Sequence, residues 1–168
     1  MISSLQEDLE SKFKDVEVRV LEQNRISVLV PGDSIPVILR YLKESGLNHL
    51  ALISCVDWIE QEKLEVVYVL TSYMPNDTEH GPEQRLHVLL KTRIPREDAQ
   101  VKSAIAVFEN AEPYERELHE LYGVNFEGHP RLIPLFLERE YEIPPFRKDF
   151  DMRKYVEDTF GSIPSVDG

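Results

Sequence analysis

The sequence predicts an α+β fold: a two-layer sandwich, in which a mixed, mostly antiparallel sheet carries helices on one face, followed by an extended proline-rich C-terminal arm. Three observations predict it. Strand-like segments occur as a pair and then a trio, separated by amphipathic helical stretches. No G-x-G-x-x-G or G-x-x-x-x-G-K-S/T pattern is present, so a doubly wound nucleotide-binding fold has no fingerprint. Five of the 11 prolines fall between Pro130 and Pro164. The composition divides the chain into an α+β domain, 1–112, and a helix with a C-terminal arm, 113–168.

Ser3 or Ser4 is placed to cap a first helix, with Glu7 for the reciprocal bond and Leu5, Leu9 and Phe13 as its stripe. Val16, Val18 and Val20 alternate with charged residues, as in a half-buried strand. Arg25–Val30 reads as its hairpin partner, with the turn at Gln23-Asn24. Pro31-Gly32-Asp33 ends that strand. A second helix carries Val37, Ile38, Tyr41 and Leu42 and closes at Gly46.

Leu50–Val56 is a continuous apolar run, the pattern of a central strand covered on both faces. Leu64–Ser72 and Arg85–Arg93 read as paired strands across a polar loop, Met74–Gln84, expected to be mobile. A helix is expected from about Arg96 to Glu109, with Val101, Ile105 and Phe108 on one side. Pro113–Tyr122 then forms a short helix, with Pro113 in its first turn and Gly123 just past its end. Tyr114, Leu118, Leu121 and Tyr122 share one face. Glu115 with His119, and Arg116 with Glu120, stand four apart on the solvent side.

At 42% hydrophobic, the chain has enough apolar side chains for a core, and its net charge is -12. That charge disfavours nucleic acid and anionic membrane surfaces, and it favours a basic protein partner. Cys55 is the only cysteine, so an iron–sulfur cluster or a Cys-rich zinc site lacks ligands, and the thiol reads as a small buried group. No metal spacing links the histidines; His80 and His87 lie seven apart. No stretch approaches the ~20 apolar residues of a membrane span, and the polar N-terminus is unlike a signal peptide. The expected location is therefore cytoplasmic. The arm joins its prolines to Leu132, Ile133, Leu135, Phe136, Leu137, Phe146, Phe150, Tyr155 and Phe160, too apolar for a linker. Such an arm buries against its own domain or a partner.

The motif Glu115-Arg116-Glu117, Glu120-Leu121-Tyr122-Gly123, Phe126, Gly128-His129-Pro130 and Pro145-Phe146-Arg147-Lys148-Asp149-Phe150 resembles the signature of one family. It is similar to the thirty-kilodalton subunit of NADH:quinone oxidoreductase (respiratory complex I), with counterparts in archaeal membrane-bound hydrogenases and related complexes. The resemblance covers about residues 113–150; the preceding hundred match in layout. It departs at Glu120, usually Asp, at the single Arg131 where the family has a pair, and in a short stretch before Pro145. These departures point to the membrane-bound hydrogenase or sulfur-reducing branch.

The resemblance implies a non-catalytic accessory subunit of a membrane-bound redox complex that couples electron transfer to ion translocation. It implies no catalytic, cofactor-binding or metal-ligating residue in this chain. The implied partners are a hydrogenase-like large subunit and an iron–sulfur subunit, which hold the chain on the cytoplasmic side of the membrane. Glu115, Arg116, Glu117 and Glu120 would form an ionic lattice with Arg147, Lys148 and Asp149 or with a partner. Gly123, His129 and Pro130 would shape turns. Two other readings compete: a small enzyme using Glu117, Glu120 and His119, and a soluble adaptor unrelated to redox chemistry.

Overall fold

The computed structural model describes residues 2–72, 85–138 and 141–161. The expected loop Met74–Gln84 and His80 lie outside them, as does the chain beyond Gly161. A five-stranded sheet runs in the order β1-β2-β5-β4-β3, with β1 Glu17–Glu22, β2 Arg25–Leu29, β3 His49–Trp58, β4 Lys63–Thr71 and β5 His87–Pro95. Only the β2–β5 pairing is parallel in this sheet. The mixed, mostly antiparallel character follows.

The first hairpin turns at Gln23-Asn24, with Glu22 opposite Arg25. Alternation then decides which side is buried. Ile26, Val28, Leu64, Val66, Tyr68, Leu70, Val88, Leu90 and Ile94 point into one core, which the helices complete. α1 (Ile2–Lys12) contributes Leu5 and Leu9, and α2 (Ile35–Glu44) contributes Ile35, Ile38, Leu39 and Leu42. Ser3 and Ser4 lie within α1 rather than capping it. The buried stripe of α2 is rotated from the expected one, since Val37 is exposed and Leu39 takes its place. Gly46, at φ +98°, closes α2 as expected, with Leu47 N–H donating to the Leu42 carbonyl at 3.0 Å.

Two expectations fail. β3 is an edge strand, not a central one, and its burial alternates. Leu50, Ile53, Cys55 and Asp57 face inward, while Leu52, Val56 and Trp58 stay exposed. Composition cannot tell a strand buried on both faces from one buried on a single face. The helix expected over 96–109 is also absent. Ala99 and Val101 alternate with polar residues, and β6 (Gln100–Lys102) pairs in parallel with β7 (Asn125–Glu127). Only one turn follows, where Val107 and Phe108 N–H both donate to the Ala104 carbonyl. That single turn carries the helical spacing.

α3 (Ala111–Tyr122) packs on β3. Tyr114 Oη donates to the Ala51 carbonyl and Asn110 Nδ2 to the Leu50 carbonyl, both at 2.9 Å, at a bulge in the strand. Among the described residues, the chain beyond β7 is mostly irregular. It ends in an unexpected helix, α4 (Met152–Phe160), capped by Asp151, whose carboxylate accepts from Arg153 and Lys154 N–H.

Candidate functional site at the root of the arm

α3 and the end of β3 grip the arm. Gly123 ends α3 at φ +73°, and its N–H donates to the His119 carbonyl at 2.9 Å. A Cβ there would lie 3.0 Å from Pro144 Cγ and 3.1 Å from Arg147 Nη2. Glycine is therefore needed twice, for its backbone and for the closeness of the arm.

Arg116 and Glu120 do not pair with each other as expected. Both reach the arm. Arg116 donates through Nε to the Ile133 carbonyl and through Nη2 to the Pro134 carbonyl, each at 3.0 Å, and it pairs with Glu112 at 3.3 Å. Glu120 accepts from the backbone N–H of Leu135 at 3.1 Å and Phe136 at 3.0 Å, and also from Leu137 N–H. One turn of helix thus presents a donor fork to two carbonyls and a carboxylate to the next three amides. These are charge-assisted bonds to backbone, so they fix the arm's path whatever its side chains.

Glu115 is not on the solvent side. It is fully buried and accepts from Ser103 Oγ and Ala104 N–H, each at 2.6 Å. Burial pushes its carboxyl up to about 7, against those two bonds. It ties the turn after β6 to α3 instead of meeting His119. His119 Nδ1 lies 2.9 Å from the Val124 carbonyl. Glu117 is half-buried and has no hydrogen bond or ion pair among the described residues.

His129 orders the turn before Pro130. Its Nδ1 accepts from Arg131 N–H at 2.9 Å, so Nε2 carries the proton facing the Glu112 carbonyl at 3.3 Å.

The segment around Arg147 closes the site. Phe146 N–H donates to the Leu121 carbonyl at 3.0 Å and Arg147 Nε to the Tyr122 carbonyl at 2.7 Å. Burial lowers the Arg147 guanidinium, and Arg96 adds to this. The Phe146 ring meets Tyr122 edge-on, with centroids 5.8 Å apart. Lys148 contributes its N–H, which donates to Asp57 at 2.8 Å, while its side chain is exposed. Asp149 receives two hydrogen bonds from Arg96, at 3.0 and 2.5 Å, and Arg96 gives two more to Asp57, at 2.9 and 3.0 Å.

The expected lattice between α3 carboxylates and Arg147–Asp149 is therefore not made within the chain. Asp57 and Arg96 serve the arm instead, and neither belongs to the sequence motif. A charged residue closing the apolar run Leu50–Val56 is the available signal for Asp57. Burial raises the Asp57 carboxyl, but the bonds from Arg96 and Lys148 N–H outweigh it and hold it below the usual range. Arg96 likewise holds Asp149 low.

Leu132 packs on the core, but several of the arm's large side chains turn outward. Ile133, Phe136, Ile143, Phe146, Met152 and Phe160 are six of the twelve exposed large apolar side chains among the described residues. Phe136, Phe146, Met152 and Phe160 are each at least 58% exposed. The arrangement anchors a backbone and leaves an apolar edge outside.

The sequence profile of the respiratory-chain NADH dehydrogenase 30 Kd subunit matches residues 28–156. The chain belongs to that family. The match begins in β2 and ends in α4, so it takes in β3, β4, β5, α3 and the Arg96–Asp149 contact, and leaves out β1. One subunit of the F(420)H(2) dehydrogenase of Methanosarcina mazei is 35% identical over 149 residues, covering 86% of this chain and 89% of the relative. One subunit of the NADH-quinone oxidoreductase of Moorella thermoacetica is 33% identical, covering 88% of this chain and 93% of the relative. Among solved structures, a chain of the membrane-bound sulfane sulfur reductase, an archaeal respiratory membrane complex, superposes with a TM-score of 0.82 at 30% identity, over 99% of this chain and 95% of that one. A trypsin-resistant fragment (1–134) of Nqo5 superposes with a TM-score of 0.64 at 25% identity, over 78% of this chain and 98% of the fragment. The 30 Kd subunit fold therefore includes the expected α+β sandwich, and the reductase match extends through the arm. No helix among the described residues is long and apolar enough to cross a membrane.

Proposed function

We propose that this chain is a non-catalytic accessory subunit of a membrane-bound respiratory complex related to complex I, of the hydrogenase or sulfur-reducing type. Its arm packs along a hydrogenase-like large subunit, beside an iron–sulfur subunit, on the cytoplasmic side. A subunit role in a complex I-related assembly rests on the family and its relatives. The observation that carries the finer reading is the arm's division of labour. Arg116, Glu120 and Arg96 fix its course, while Phe136, Phe146, Met152 and Phe160 face outward. An apolar edge on a preset path is what a docking strap needs, because the ordering cost is met before binding.

The test is affinity purification of the full chain from its native host. The wild type should bring down a hydrogenase-like large subunit and an iron–sulfur subunit. Phe136→Asp with Phe160→Asp should lose both, with the variant's melting temperature unchanged. Unaltered recovery of both subunits by that variant would refute the proposed docking edge.

A further inference from the structure

The sheet has a second face, turned away from the helices, and its chemistry is opposite to that of the chain. Strand register places Leu52, Val69 and Leu89 side by side across β3, β4 and β5 on that face. Val56 and Trp58 continue the apolar stripe down β3, and Leu52, Val56 and Trp58 are 40%, 39% and 38% exposed. Around the stripe, the same face carries Arg19, Arg25, Lys63, Lys91 and Arg93 against Glu17, Glu22 and Glu65; Arg19 pairs with Glu17 at 3.5 Å and Arg25 with Glu22 at 3.3 Å. Five cations against three carboxylates leave an excess of about two positive charges, at Lys63, Lys91 and Arg93 around Glu65, on a chain whose net charge is -12. Glu65 is already buried under Lys91 and Arg93, at 3.5 and 2.8 Å, so two cations share one carboxylate and one charge is left over.

We propose that this outer face is a second docking surface, and that its occupant is a segment of a neighbouring subunit with an apolar stripe flanked by Asp or Glu. This rests on the chain being a subunit of a larger complex, and it is independent of where the arm docks. Three observations favour this occupant. The Leu50–Val56 run has the composition of a strand covered on both sides, and among the described residues only one side is covered. The excess positive charge selects an acidic partner, opposite to the basic partner that the whole chain attracts. A second copy would meet this face only through one of its acidic surfaces, a head-to-tail contact that gives a ring or an open filament and not a two-fold dimer. A nucleic acid or an anionic membrane would be repelled by the remainder of the molecule.

The experiment uses the purified complex and the full isolated chain. Both are acylated with a water-soluble amine reagent, and the complex is also treated with a carbodiimide, which joins lysine amines to carboxylates in contact. Acylation of Lys63 should fall about fivefold or more in the complex, as for a residue in a closed interface. Carbodiimide should link Lys63 or Lys91 to an Asp or Glu of another subunit. Equal acylation of Lys63 in both samples overturns the proposal. So does protection of Lys63 in the isolated chain by vesicles of phosphatidylglycerol, or by its own self-association. Leu52→Glu with Trp58→Glu should lower incorporation into the complex at unchanged melting temperature; normal incorporation overturns the proposal. If that variant does not fold, the lysine footprint of the wild type decides. Loss of assembly on altering Phe136 and Phe160, with Lys63 equally reactive throughout, would leave the arm reading standing and this one refuted.

Discussion

Arg96 donates two hydrogen bonds to Asp149, 53 residues further along the chain. With two more to Asp57, it joins the end of β5, the end of β3 and the arm at one guanidinium. The Arg96 side chain is 14% exposed and that of Asp57 2%. Both bonds to Asp57 run parallel, the geometry in which Arg surpasses Lys.

Removing Arg96 strands a buried carboxylate. Arg96→Met should cost about 3–5 kcal/mol, the usual penalty for breaking a buried pair from one side. Asp149 is 39% exposed, so Asp149→Asn should cost about 1 kcal/mol or less. Urea denaturation of the full chain measures both. Equal losses for the two variants would mean that Asp57 is not the main partner.

Glu115 sets a pH dependence. Its folded value of about 7 lies above the ordinary 4.5, so the folded state holds a proton that the unfolded state has released. Stability is therefore highest below pH 4.5 for this group and is lost as pH rises to about 7, by ~3 kcal/mol. Asp57 and Asp149 act in the opposite sense, because their folded values are depressed. Their contribution is present above the usual 3.8 and is lost as pH falls below it. Glu115→Gln should flatten the stability profile between pH 4.5 and 7 while leaving the acid limb. A slope unchanged by Glu115→Gln would assign the titration elsewhere.

Gly123 tolerates no side chain. Gly123→Ala should lose about 1–2 kcal/mol from the left-handed backbone alone. The new Cβ, 3.0 Å from Pro144 Cγ, should also push the arm outward. Faster trypsin cleavage at Arg147 and Lys148, against an unchanged rate at Lys43, is the expected signature.

Glu120→Ala should free the arm locally. Three amides lose their acceptor at Leu135, Phe136 and Leu137, and amide hydrogen exchange there should accelerate. Exchange in β4 and β5 should be unaffected. Arg116→Met should act more weakly, because it strips donors from carbonyls that solvent can reach.

Much of the fold is legible in the sequence because local chemistry and tertiary structure agree. Gln23-Asn24 between alternating runs marks the hairpin, Pro113 lies in the first turn of α3, and Gly123 stands just past its end. The misreadings around the site share one origin: they depend on partners distant in sequence. Val101 becomes a strand residue because Phe126 lies beside it, which spacing within 96–109 does not reveal. Glu115 looks like a surface carboxylate until Ser103 and Ala104 arrive with donors. Arg116 and Glu120 have the spacing of an ion pair, yet each finds a backbone partner in the arm. The apolar run of β3 has the composition of a strand covered on both faces, but among the described residues it receives cover on one.

Hydroxyl-radical footprinting of the arm, comparing the full isolated chain with the chain in its purified complex, tests the central claim most directly. The account predicts strong oxidation of Phe136, Phe146, Met152 and Phe160 in isolation and protection of most of them on assembly. Equal oxidation of all four in both states would contradict it.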